Sequence, residues 1–191
     1  MNLFNGNRVS HRESECIFGW WACFDISKND EECILNVVLK IKLEAAEDVT
    51  QAEIDAGKAL WEPAIEQYWH NKYYIVLKEG ECPCEVYNVH VDVQFVTSGE
   101  HHTVLIERGP GRENMTRWFH DTNGATAAHE AGHMFGNIDE YADPDCPNRT
   151  VTNDGSLMQT TAGTVKKRHY HEFAEWISRE TCSDYEVGDS V

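Results

Sequence analysis

The stretch "AHEAGHMFGNIDEY" (128–141) constrains this chain more than any other. His129 and His133 stand four residues apart. On an α-helix that step puts both on one face, so their imidazoles can aim at a single point. Glu130 is turned away by about 100°, off that axis yet within reach of a water held there. Gly136 is the residue type that ends a helix in left-handed conformation, and the turn it permits brings Asp139 back towards the histidines. Two imidazoles and one carboxylate form a zinc donor set with a fourth position open, whereas structural zinc is usually closed by four protein ligands. An open position accepts water, and Glu130 is placed to act on it as a general base. By residue frequencies, HExxH alone arises by chance in roughly one such chain in twenty, and with Gly136 and Asp139 added in a few per ten thousand.

The rest of the chain reads as a mixed α+β domain. "CILNVVLKIKLE" (33–44) alternates apolar and polar residues, a strand pattern. "TQAEIDAGKALWEPAIEQYWHN" (50–71) has helical apolar spacing, with Thr50 and Glu53 forming a capping box and Pro63 expected to kink or interrupt the helix. Strands are expected at 72–79, 85–99, 101–109 and 115–121, and "IFGWWACF" (17–24) is at most a buried strand. Asp121, Thr122 or Asn123 can cap the helix ending at Gly136. Residues 139–164 are loop-like, and 166–180 return to helical period around Phe173, Trp176 and Ile177. One domain over 1–191 divides into an N-terminal extension (1–32), an N-terminal lobe with the active-site helix (33–136) and a C-terminal lobe (137–191).

A net charge of −17 excludes nucleic acid and acidic lipid surfaces as partners, and no apolar run approaches a membrane span. The acids are spread along the chain, as on a solvated folded surface; the loop after Asp139 is rich enough in them for a calcium site to be considered. Seven cysteines do not form a paired zinc ribbon, and Cys146 with Cys182 is the first disulfide to test. The opening "MNLFNGNRVSHRESE" lacks the features of a secretory signal. That leaves localisation open between the cytoplasm, a non-classical export route and a longer precursor.

"HEAGHMFGNID" (129–139) resembles the metzincin zinc-peptidase signature, in the subgroup with aspartate as third ligand. Metzincins place a methionine turn beneath the metal, and "DGSLMQ" (154–159) offers Met158, nineteen residues after Asp139. The resemblance implies a twisted mixed sheet of about five strands with a backing helix, the active-site helix, and a small C-terminal lobe ending in a helix. It also implies a zinc endopeptidase with Glu130 catalytic and His129, His133 and Asp139 on the metal. The chain departs from several metzincin groups at Thr160, where they carry a tyrosine. A missing oxyanion donor is then sought first in "RHYH", at His169, Tyr170 and His171, and next at Tyr141. Glu140 is expected to support the active-site lobe by pairing with a basic group. His101 and His102 open a strand that the resemblance places at the substrate-binding sheet edge. No cysteine-switch propeptide is visible; a thiol of Cys82 or Cys84 is a weak candidate for latency.

The residues alone leave two rivals open: a non-peptidase zinc hydrolase, and a scaffold that keeps zinc for structure. A compact catalytic domain of this kind is also similar to metallopeptidase toxin domains, which implies a protein or peptide substrate and a delivery protein or an immunity partner.

Overall fold

The computed structural model describes residues 7–190; the first six residues of the expected extension lie outside them. In chain order the elements are β1 (Asn7–Glu15), β2 (Phe18–Asn29), β3 (Ile34–Ala45), α1 (Gln51–Trp69), β4 (Tyr73–Glu79), β5 (Val86–Phe95), β6 (His102–Glu107), β7 (Arg117–Phe119), α2 (Gly124–Met134), a 3-10 turn (Lys167–Tyr170), α3 (His171–Thr181) and β8 (Asp184–Ser190). The domain is α+β, with one mixed sheet and three helices.

β3 is central because its alternation buries Leu35, Val37, Leu39 and Ile41 completely on one face. Its neighbours are β2, antiparallel, and β5, parallel. Near its end Ile41 pairs with Phe95 of β5 and with His102 of β6, so β6 continues the edge that β2 leaves. β7 lies outside β6, and the longer path runs β1-β2-β3-β5-β4-β8.

α1 begins at the expected capping box and contacts both β5 and α2. It continues through Pro63 to Trp69, so the proline does not interrupt it. An interior proline costs about 3 kcal/mol. Burial of Trp61, Ile65 and Trp69, all fully enclosed, offsets that at about 1.5–3 kcal/mol for each large side chain. Both indoles also serve α2: Trp61 Nε1 donates to Thr122 O at 2.7 Å and Trp69 Nε1 to Ala128 O at 2.9 Å.

Three expectations are corrected. The sheet has eight strands rather than about five, because β1 and β8 add polar, charged edges to it. Among residues 8–15, β1 buries only Val9, as suits an edge protected by charge. Residues 7–29, expected as an extension, are therefore part of the sheet. Secondly, β6 is not an edge: it pairs on both sides, with β3 and β7. His102 is buried with Nε2 donating to Cys23 O, and His101 Nδ1 accepts from Lys40 N at 2.9 Å. Thirdly, the disulfides are Cys16–Cys146 and Cys33–Cys84, while Cys182 is exposed and free. Cys182 caps α3 in left-handed conformation, φ 53°, away from the loop of Cys146. Cys84, weighed above as a latency thiol, is bridged and buried.

A candidate metal centre

α2 starts at Asn123, whose side chain accepts from Thr126 N. Ala127, Ala128 and Ala131 are fully buried, so the helix lies close against α1. At Gly124 an added Cβ would stand 2.5 Å from the Ala64 methyl, a contact that only glycine avoids. The helix ends at Phe135, and Gly136 adopts φ +97°. A side chain is rarely tolerated there, and the turn delivers Asp139 to the histidines.

His129 Nε2 lies 3.1 Å and His133 Nε2 3.2 Å from the same oxygen, Asp139 Oδ1. On their far sides, His129 Nδ1 donates to Leu157 O at 2.7 Å and His133 Nδ1 to Asn137 O at 2.8 Å. A carbonyl can only accept, so each Nδ1 carries a proton, and either ring when neutral turns an Nε2 lone pair towards a carboxylate oxygen. Three acceptors facing one another repel unless a cation sits among them. The alternative needs two imidazolium rings at a centroid separation of 5.1 Å. Tetrahedral zinc with ligands at 2.0–2.1 Å separates its donors by about 3.3 Å, close to the distances found. The residues fit zinc.

Glu130 is 5% exposed and lines the cleft beside the histidines, and burial pushes its carboxyl above the ordinary range. The cleft has a volume of about 770 Å³. Its walls are residues 112–117 leading into β7, the β1–β2 hairpin from Glu15 to Trp20, and Gln159 to Thr161. Trp20 Nε1 donates to His133 O at 3.1 Å, and its ring meets the imidazole edge-on at 5.6 Å.

The turn at 154–159 packs against α2. Met158 is fully buried, and its sulfur would be 2.5 Å from a Cβ built on Gly132. The same turn supplies Leu157 O to His129 and Met158 O to Glu140 N. Glu140 meets Arg168 through both carboxylate oxygens, at 2.5 and 2.6 Å, and also bonds Ser156. Burial opposes its ionisation, but Arg168 and His169 hold its carboxyl well below the usual range. Glu140 thus pairs with a basic group of the C-terminal lobe, as expected.

The expected oxyanion donors at 169–171 do not reach the cleft. His169 is enclosed and faces Glu140, with Nδ1 accepting from Lys166 N. The buried Tyr170 hydroxyl donates to Trp69 O, and exposed His171 pairs with Glu175 at 2.9 Å. The 3-10 turn ahead of α3 carries His169 and Tyr170 into the lobe and leaves His171 on its surface. Tyr141 does line the cleft, donating to Asp139 Oδ2 at 2.8 Å, and burial together with that carboxylate pushes its phenol up to about 12. Thr160 is exposed at the cleft wall.

Two of the loop acids considered for calcium are paired with arginines, Asp143 with Arg149 and Asp154 with Arg168. Glu172 joins His11 and Glu13 on the other side of Gly136, outside the cleft. Sequence reasoning missed Glu15, Trp20, Arg112 and Arg149, all lining the cleft. They come from segments far apart in the chain, and no local spacing marks them.

Compared with protein-family models, curated proteins and solved structures, the chain shows no match. The functional argument rests on the site itself.

Proposed function

We propose that this chain is a zinc-dependent endopeptidase of metzincin type. The observation that carries the reading is the convergence of two Nε2 atoms on Asp139 Oδ1, with both Nδ1 atoms fixed on carbonyls. His129, His133 and Asp139 would hold the ion. Zinc supplies Lewis acidity, polarising the scissile carbonyl and making water a better nucleophile.

The chain's own residues do the rest. Glu130 takes the proton of the attacking water and passes it to the leaving amine. Its raised affinity for protons suits both halves of that transfer. β7 has a single partner strand among the described residues, and the segment leading into it forms one cleft wall. That wall suits an extended peptide, which adds to a sheet edge through main-chain hydrogen bonds. Tyr141 is the remaining candidate for a donor to the oxyanion. Tyr141→Phe is expected to lower kcat by roughly 10²-fold, the usual cost of losing one such donor, with KM little changed; zinc content is measured alongside, because the same hydroxyl bonds Asp139 Oδ2.

The deciding experiment is zinc analysis together with cleavage of a peptide library by wild type and Glu130→Ala. Wild type should carry about one zinc and cleave. Glu130→Ala should keep zinc while turnover falls by about 10²- to 10⁴-fold. A zinc-free wild type, or turnover surviving the substitution, ends this reading.

A further inference from the structure

We infer that Arg149 is a positioning residue for the third metal ligand, held in register by the Cys16–Cys146 bridge. The inference rests on the metal-centre reading above and adds a requirement to it.

The Arg149 side chain is 2% exposed, yet it carries a full charge. Its Nη2 donates to Glu15 Oε2 at 2.7 Å, while Nη1 lies 3.5 Å from both Asp139 Oδ2 and Asp143 Oδ2. The Tyr141 ring stacks against the guanidinium, 5.0 Å from its centroid. The two oxygens of Asp139 are thereby divided. Oδ1 faces the histidines, and Oδ2 faces Tyr141 and Arg149. A ligand carboxylate fixed through its outer oxygen is pre-aimed at the ion, which is how outer partners tune metal sites.

What fixes the guanidinium is the β1–β2 hairpin. Glu15 ends β1 and precedes Cys16; Cys16 is bridged to Cys146, whose carbonyl accepts from Arg149 N at 3.0 Å. Bridge and ion pair therefore join the same two segments, the cleft-lining hairpin and the loop after the third ligand. The plainer role for Arg149, neutralising buried acids in an anionic chain, needs charge but neither the fork to Glu15 nor the bridge.

The test measures zinc affinity by chelator competition on the full chain, alongside thermal unfolding. Arg149→Met keeps the apolar stem over Tyr141 and should weaken zinc by about 10- to 100-fold, the range for losing an outer partner. Arg149→Lys restores the charge but cannot bridge Glu15 and Asp139 together, so most of the loss should remain. Glu15→Gln and the double variant Cys16→Ser/Cys146→Ser should each weaken zinc in the same direction. Cys33→Ser/Cys84→Ser should lower the melting temperature and leave zinc affinity unchanged. Full recovery in Arg149→Lys would show simple neutralisation and overturn the proposal. If Arg149→Met does not fold, Glu15→Gln and the Cys16/Cys146 variant decide, and affinities within about twofold of wild type in both, well short of the loss expected for an outer partner, overturn it. A wild type without zinc would instead defeat the metal-centre reading, which separates the two failures.

Discussion

On one side of α2, Ala127, Ala128 and Ala131 lie fully buried in the same core as Trp61, Trp69 and the β3 aliphatics Leu35, Val37, Leu39 and Ile41. On the other side, residues 137–169 give Leu157, Met158 and Val165 to that core and are otherwise held by polar pairs: Glu140 with Arg168, Arg149 with three carboxylates, and carbonyls bonded to both histidines. The sheet side is stabilised by burial, which is non-directional and tolerant of detail. The loop side depends on directional groups, each costly when its partner is lost. One helix thus joins a scaffold that should stand without metal to a segment whose charges would, on the proposed reading, hold one.

The largest effects should come from damaging each side separately. Leu39→Ala leaves a cavity in the sheet core and should cost about 2–5 kcal/mol in urea unfolding, with zinc affinity unchanged. Arg168→Met strands the Glu140 carboxylate. Its cost should be about 3 kcal/mol, the low end for breaking a buried pair, because the Arg168 side chain is 40% exposed. Here zinc affinity should fall as well. Equal loss of zinc in both variants would erase the distinction between the two sides.

Metal removal comes next. At free zinc 100-fold above its Kd, binding adds about 2.7 kcal/mol. Hydrogen exchange after chelation should accelerate in 137–165 and leave β3 and β5 protected. Uniform acceleration would mean that the sheet also depends on the ion. Gly132→Ala probes the seam, because its methyl would meet Met158 Sδ at 2.5 Å and Trp69 Cζ2 at 3.0 Å. Overpacking of this kind costs about 1–3 kcal/mol, read from the melting temperature.

The smallest effect belongs to the sheet's own polar cluster. Burial opposes ionisation of Asp25, but Lys40, Arg8 and His101 bring its pKa down to about 2. The unfolded value is about 3.9. A depressed carboxyl stabilises the fold above its unfolded pKa, and that contribution is lost as pH falls through about 2. Solvent screening keeps it to about 1 kcal/mol or less. Asp25→Asn should remove that amount at neutral pH and flatten the stability profile between about pH 4 and pH 2, as followed by urea unfolding across the range.

The same division explains what can be read from sequence. β3, α1 and α2 announce themselves through local period, capping at Thr50 and the glycine at 136, because each is specified by neighbours in the chain. His129, Glu130, His133 and Asp139 follow from helical spacing plus one turn. β1 and β8 are not legible in this way. Edge strands bury little: β1 offers Val9 alone, and the alternation in β8 amounts to Tyr185 and Val187. Cys16–Cys146 joins residues 130 apart in sequence, and no spacing rule selects that partner among seven cysteines. The donors expected at 169–171 fail for a related reason. A 3-10 turn precedes α3, and His169 and Tyr170 pack on Trp69, a partner about 100 residues away that local period does not reveal.

Trp20 has a spectroscopic consequence. Its indole sits edge-on to the His133 ring and donates to the His133 carbonyl, so its emission should respond to what the imidazole carries. Cobalt in place of zinc absorbs visible light and quenches nearby indoles, and Trp20 is the tryptophan that lines the cleft. A titration followed by fluorescence should show a quenching phase that Trp20→Phe removes, giving the molecule a built-in optical gauge of occupancy.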